Sequence, residues 1–217
     1  EAYHSDEVKA FVEDNFAGTA TSVRWDAVGA GAMLSDGNRV ASASNLSPTL
    51  IGRGARSTAP KTSGKWYVEL RSLLFRPDRC YCGFDIGADQ DLFSAAPADF
   101  IGPASMAATT PKTDSSEAVT VDAGGTPVTL GAGDAIALAL DLDAGKLWIG
   151  ALPPWKHAVS WHDGADPATG TGAQFTGLPA GDYFLFCCLT ANDAADFNSL
   201  EIPERTQGRP PSGFAIW

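Results

Sequence analysis

Residues Asp134-Ala135-Ile136-Ala137-Leu138-Ala139-Leu140-Asp141-Leu142 alternate with a period of two. Ile136, Leu138, Leu140 and Leu142 fall on one face, and Ala135, Ala137 and Ala139 on the other. Successive side chains of a strand point to opposite faces of its sheet, so this run reads as a strand with one large apolar face aimed at a core. The alanine face is small enough to pack against a further layer or to stay exposed. Ala144-Gly145 then turns the chain, and residues 146–150 read as the returning strand.

The same rhythm continues on both sides. Residues 65–73 place Trp66, Val68 and Leu70 on one face and Tyr67, Glu69 and Arg71 on the other. Residues 80–86 read as the next strand, and Pro77-Asp78 between them suggests a hairpin. Met33-Leu34 and Val40 flank Ser35-Asp36-Gly37-Asn38, where Asp-Gly signals a tight hairpin. Further upstream, Val23 and Trp25 alternate with Arg24 and Asp26. Residues 119–121 and 128–130 bracket Gly124-Gly125, another hairpin signal. Residues 183–189 are apolar on both faces, as a central buried strand requires. Residues 197–202 read as pairing at an edge, and the apolar 213–217 are expected to pair or pack into the same body. Residues 87–118 carry Pro97, Pro103 and Pro111 and read as a long loop with one or two short strands. Residues 151–180 read as mostly loop. One segment breaks the rhythm: Val8, Phe11, Val12 and Phe16 make one helical face, with Ser5 as a cap and Asn15 and Gly18 as stops.

The expectation is an all-β chain, an antiparallel two-sheet β-sandwich of about ten short strands with a short N-terminal helix. Residues 1–18 form the helix or connector, and residues 19–217 the sandwich. A start at Glu1 and not Met leads us to expect residues upstream. No internal repeat and no dividing linker is visible.

The composition removes several alternatives. The chain has 217 residues, 15 Lys and Arg, 26 Asp and Glu, and a formal charge of −11. An apolar fraction of 44% is too high for a disordered chain. Its 23 Gly and 14 Pro are too few and too unperiodic for collagen. No apolar run approaches the ~20 residues of a membrane-spanning helix. Nucleic-acid binding needs clustered Lys and Arg, and the acidic balance argues against it and against adhesion to anionic lipid.

Several of these stretches resemble the SPRY family, called B30.2 in its extended form. Gly64-Lys65-Trp66-Tyr67-Val68-Glu69-Leu70 resembles the family's G-K-x-Y-x-E-V strand. Gly133 to Asp141, followed by Leu147-Trp148-Ile149-Gly150, resembles its G-D-x-I hairpin. Pro210-Pro211-Ser212-Gly213-Phe214, and the Trp161-His162-Asp163-Gly164-Ala165-Asp166-Pro167 run that continues to Gly172, resemble the SPRY-like domains of tailed-phage structural proteins. Two departures stand out: Ala137 replaces a family glycine, and Asp196-Phe197-Asn198 replaces N-F-G. The resemblance covers residues 20–217. It implies a bent two-sheet sandwich that is a recognition module and not an enzyme. It further implies residence in a virion, on a tail fibre, tail tip or capsid surface, in many copies. The implied partners are neighbouring virion proteins, or host-surface glycan or protein, without nucleic acid, membrane insertion or cofactor. The alternatives are a cellular SPRY adaptor for a short peptide and, behind it, a glycan hydrolase.

The residues themselves carry little catalytic pattern. Asp141 and Asp143 lie two apart at a strand end, but a calcium loop needs an oxygen ligand near Gly145 and a Glu at Leu152. A turn role fits them better. A hydrolase would use Asp141 with Asp143, or Asp163 with Asp166, across a cleft. No G-x-S-x-G elbow or triad grouping is present. His157 and His162 are five apart but lack a defined third metal ligand. Cys80, Cys82, Cys187 and Cys188 sit in apolar strands and read as buried small hydrophobes, with a disulfide between the two strands left open. Gly52-Arg53-Gly54-Ala55-Arg56-Ser57 lacks the third glycine of a dinucleotide fingerprint and reads as a flexible basic loop. Asn45-Leu46-Ser47 matches a glycosylation sequon by pattern alone. The candidate ligand residues are Trp155, His157, His162, Asp163 and Asp166, with Arg53 and Arg56. Aromatic rings stack on sugar faces, and nearby carboxylates accept from hydroxyls. In the SPRY pattern the tryptophan matching Trp161 is structural, so Trp161 is expected in the core. Pro153-Pro154 holds Trp155 in a loop, where exposure is expected.

Overall fold

Two sheets enclose one core. The structure is a computed structural model that describes residues 23–27, 33–44, 53–74, 80–86, 100–105, 108–113, 119–122, 124–130, 133–189, 197–203 and 205–217. The expected helix over 5–16, the sequon at Asn45 and the boundary at residue 18 lie outside the described residues.

Strands are numbered in chain order. The smaller sheet has six strands in the order β1 (Trp25–Ala27), β4 (Arg53–Ser57), β14 (Tyr183–Leu189), β6 (Cys80–Ile86), β7 (Phe100–Ser105) and β8 (Ala108–Thr113). The larger sheet runs β2 (Met33–Ser35), β3 (Val40–Ser44), β15 (Phe197–Glu201), β5 (Lys65–Leu74), β10 (Ala135–Asp141), β11 (Lys146–Leu152), β13 (Phe175–Thr176) and β9 (Thr120–Val121). Off this path β12 (Ser160–Trp161) pairs with β11, and β16 (Ala215–Ile216) pairs with β5. All pairings are antiparallel except β16 on β5, where Ala215 lies opposite Trp66.

The main core lies between the sheets. Val68, Leu70, Ile136, Leu138, Leu140, Leu147 and Ile149 from the larger sheet meet Cys82, Phe84, Leu185, Cys187 and Leu189 from the smaller. The alanine face of β10 is covered. Tyr67, Trp148, Phe214 and Ala173 close over Ala137 and Ala139 as a second apolar layer, with Trp161 and Val159 partly buried against it. Small residues on β10 make room for these rings, so an alternation of large and small faces gives the sheet two packed sides.

The β2–β3 hairpin and the β10–β11 hairpin form as the sequence predicts. Asp36, Gly37 and Asn38 all have positive φ, which explains Asp-Gly-Asn at that turn. β14 is interior, between β4 and β6. Four expectations are corrected. β5 and β6 are not a hairpin but belong to different sheets, because β10 takes one edge of β5 while β15 and β16 take the other. β15 is not at an edge but lies between β3 and β5. Residues 119–121 and 128–130 do not pair with each other: β9 joins β13, and Val128 accepts from the Thr109 amide. Residues 53–57 are not a loop but strand β4, paired on both sides.

Candidate functional site

β11 ends at Leu152, and Pro153-Pro154 carries the chain outward. Trp155 follows at 76% exposure. Among the described residues only Met33 is another exposed large hydrophobic side chain. The loop is fastened, not loose. The Lys156 amide donates to the Pro153 carbonyl at 3.0 Å, closing a turn around Trp155. The Gln207 side-chain amide donates to Pro153 O and to Lys156 O, each at 2.7 Å. His157 Nδ1 lies 3.0 Å from Gln207 O, and because a carbonyl only accepts, that nitrogen carries the proton. Arg209 N donates to His157 O at 3.2 Å. One short strap, residues 205–209, therefore holds both sides of the loop.

The strap is itself anchored on a buried carboxylate. Glu69 is 1% exposed on the outer face of β5. Its Oε1 accepts from Tyr67 Oη and Gly208 N at 2.8 Å each, and its Oε2 accepts from Gln207 N at 2.8 Å. Arg71 Nη2 donates to Gln207 Oε1 at 3.0 Å, and Arg71 Nη1 lies 3.7 Å from Glu201 Oε2. Burial pushes the Glu69 carboxyl above its ordinary range, while the Gln207 amide, the Tyr67 hydroxyl, the Gly208 amide and Arg71 pull it back. Burial, and then the neighbouring Glu69 charge, push the Tyr67 phenol well above its usual value. Gly208 is required at its position: a Cβ there would lie 2.8 Å from Tyr67 Oη and 3.1 Å from Glu69 Oε1. Exposure alternates along the strap, with Thr206 and Gly208 buried and Arg205 and Arg209 exposed. Sequence reasoning missed Glu69, Gln207 and Arg209. The alanine face of β10, small enough to take a further layer, was the available signal.

The remaining predicted ligand residues go elsewhere. His162 is 2% exposed in a short 3-10 turn, His162–Gly164. Its Nε2 donates to Gly124 O at 2.9 Å, which leaves Nδ1 to accept from Thr109 Oγ1 at 3.0 Å. Thr109 Oγ1 in turn accepts from Val128 N at 2.8 Å. His162 thus ties three segments together and offers no ring nitrogen to a ligand, which corrects its place in the candidate set. Asp163 Oδ1 accepts from Thr126 N at 3.2 Å. Asp166 accepts from Ala168 N and Thr169 Oγ1 at 3.0 Å each, closing a turn whose ends bridge at Asp166 and Thr171. Arg56 lies in β4 with its guanidinium 4.4 Å from the centre of the Phe184 ring. The Arg53 backbone in β4 stands opposite Leu189. Only Trp155 and His157 of the predicted set come together on the fastened loop.

The other candidate pair is turn structure, as expected. Asp141 bonds Ala144 N at 2.9 Å and Lys65 Nζ at 2.8 Å, and Asp143 accepts from Gly64 N at 2.9 Å. Trp161 is partly buried and packs edge-on to Tyr67 at 6.5 Å, against the second apolar layer. Cys82 and Cys187 are opposite in register and buried as thiols, not as a disulfide. Among the described residues no group of three or more His, Cys, Asp or Glu is placed to hold a metal. A cleft of about 370 Å³ lies at the other end of β11, between the β10–β11 turn and residues 177–180. Asp143 is the one charged side chain among the described residues lining it, already bonded to Gly64.

No family model matches the chain, and no curated protein matches it. Solved structures do. The SPRY domain of human HERC1 aligns with 80% of this chain and 99% of its own, at 11% identity and a TM-score of 0.45. The TRIM65 PSpry domain aligns over 91% and 98%, at 14% identity and a TM-score of 0.46. The VIP36 exoplasmic/lumenal domain, in a Ca2+/Man-bound form, aligns over 82% and 81%, at 12% identity and a TM-score of 0.45. At this distance the functional reading rests on the residues of this chain.

Proposed function

We propose that this chain is a non-enzymatic recognition module, carried on a tailed-phage virion, that binds host-surface glycan through the Trp155 loop. The observation that carries it is an indole at 76% exposure on a loop held from both sides by Gln207. An exposed Trp ring offers a large flat face for a sugar ring, and Pro153-Pro154 with the strap leaves little loop freedom to lose on binding. The four carboxylates a hydrolase would use, Asp141, Asp143, Asp163 and Asp166, each accept a backbone amide and so hold turns or loops, which gives them a structural role. The virion assignment draws its support from the ordered phage-like motifs, above all residues 161–172 and 210–214.

Binding of the purified chain to host envelopes, wild type against Trp155→Ala, tests the site. The expected loss is at least about tenfold, the size seen when an aromatic anchor is truncated. Equal binding by both proteins sinks the site. Mass spectrometry of purified particles tests the location, and absence of the chain from them removes the virion assignment. A Trp155→Ala chain that binds envelopes normally but fails to enter particles identifies a neighbouring virion protein as the partner.

A further inference from the structure

The chain is acidic as a whole, yet its one exposed tryptophan stands in a basic neighbourhood. Residues 153–159 and 205–209 contain Lys156, Arg205, Arg209 and His157, and no Asp or Glu. Three of the chain's 15 Lys and Arg thus fall on the loop and the strap that holds it. Lys156 and Arg209 are exposed, and neighbouring bonds hold their backbones on the loop and the strap: Lys156 O accepts from Gln207, and Arg209 N donates to His157 O. Because exposure alternates along the strap, Arg205 and Arg209 face outward beside Gln207, whose side chain bonds the loop itself.

Resting on the recognition reading above, we infer that the Trp155 surface takes an anionic sugar, a ring stacked on the indole with its carboxylate reached by Lys156 and Arg209. The net charge of −11 does not oppose this. At physiological salt charges are screened beyond about 8 Å, so a ligand on this loop senses the local cations and little of the distant acidic surface. The acids nearest the strap are engaged: Glu69 lies buried beneath it and accepts from Tyr67, Gln207 and Gly208, and Glu201 faces Arg71 at 3.7 Å. Asp134 precedes Ala135, which pairs with Leu152 at the base of the loop, and Glu204 precedes Arg205 in the sequence. The guanidinium and ammonium supply charge-assisted hydrogen bonds to a carboxylate, and the indole supplies the stacking face. A neutral sugar would use the ring and leave the cations unused.

The test is equilibrium binding of the whole chain to three polyuronates (hyaluronan, alginate and polygalacturonate) and to the same polymers with carboxylates reduced to alcohols. Poly-glutamate serves as the acidic peptide. The expected result is at least one polyuronate bound about tenfold or more tighter than its reduced form. Lys156→Glu/Arg209→Glu removes that preference without lowering the melting temperature by more than a few degrees, and Trp155→Ala weakens both forms. Equal, Trp155-dependent binding of native and reduced polymers overturns the anionic inference while leaving glycan recognition standing. Binding to none of the polyuronates overturns the inference, and the envelope comparison then decides the recognition reading by itself. Poly-glutamate bound as tightly as the best polyuronate also overturns it, by assigning the surface to acidic protein.

Discussion

Glu69 is a carboxylate almost fully out of water, held by two backbone amides and one phenol. Its folded-state proton affinity is raised by burial above the ordinary value of 4.5. In the unfolded chain Glu69 loses its proton first, so deprotonation favours the unfolded state across this window. The stability it contributes is present in full below 4.5 and declines as pH rises through the raised value. We predict that the denaturation midpoint of the wild type falls across that window relative to Glu69→Gln, which has no proton to lose. The Gln variant is less stable throughout by about 1–3 kcal/mol, because its amide turns donors toward donors. Parallel pH profiles for the two proteins would show that Glu69 does not titrate differently on folding. His162 makes a second case at this scale. His162→Ala strands Gly124 O and Thr109 Oγ1 and is predicted to cost about 2–3 kcal/mol by chemical denaturation, although the sequence cluster grouped this residue with ligand contacts.

Elements were legible where pattern is local. The β10 alternation, the Asp-Gly hairpin and the doubly apolar β14 are each visible within a dozen residues of sequence. What was not legible was partner choice. Nothing in residues 65–86 says that both edges of β5 are taken by strands from far along the chain, and so the β5–β6 hairpin expectation failed. The site shows the same limit. Exposure of Trp155 follows from its flanking prolines, but its clamp comes from Gln207, half a hundred residues later. The alternation of Glu69 with Val68 and Leu70 marks a second face of the strand without saying whether that face is covered. The strap is therefore the element to test. Gln207→Ala removes the donors to Pro153 O and Lys156 O while leaving the Gln207 backbone amide on Glu69. Hydrogen exchange of residues 155–158 should accelerate about tenfold or more, as expected when a loop gains local opening, with the melting temperature shifted by only a few degrees. Unchanged exchange would mean that the prolines and the backbone carbonyl and amide bonds at His157 and Lys156 hold the loop without the Gln207 side chain. Gly150→Ala is the sterner change: the added Cβ would overlap Val159 Cγ1 and approach Trp161 Cε3 to 2.8 Å, pushing β12 off β11 at a cost of about 1–3 kcal/mol.

At the scale of the molecule, the last residue closes the sandwich. Trp217 is 3% exposed, with its ring 5.1 Å from Phe84 of the smaller sheet and 6.2 Å from Trp66 of the larger. Its amide donates to Tyr67 O at 2.9 Å, which continues the parallel pairing of β16 on β5. The apolar ending marked these residues for the core, but only the two-sheet geometry shows that one ring touches both layers. Removing it therefore weakens the contact between sheets more than either sheet alone. Trp217→Ala is predicted to cost about 3–5 kcal/mol, as large buried rings do. For a chain of this size that lowers the melting temperature by roughly 6–20 °C. Cys82 and Cys187 give a second probe, because their thiols are buried in the smaller sheet while Trp217 pairs with the larger. If the sheets unfold as one unit, thiol labelling and far-ultraviolet circular dichroism should shift together in Trp217→Ala. Trp217→Phe, which keeps a ring between Phe84 and Trp66, should recover about half of the loss. A melting temperature unchanged by Trp217→Ala would show that the C-terminal ring does not bridge the sheets, and thiols exposed well before the dichroism changes would show that the two sheets part before they melt.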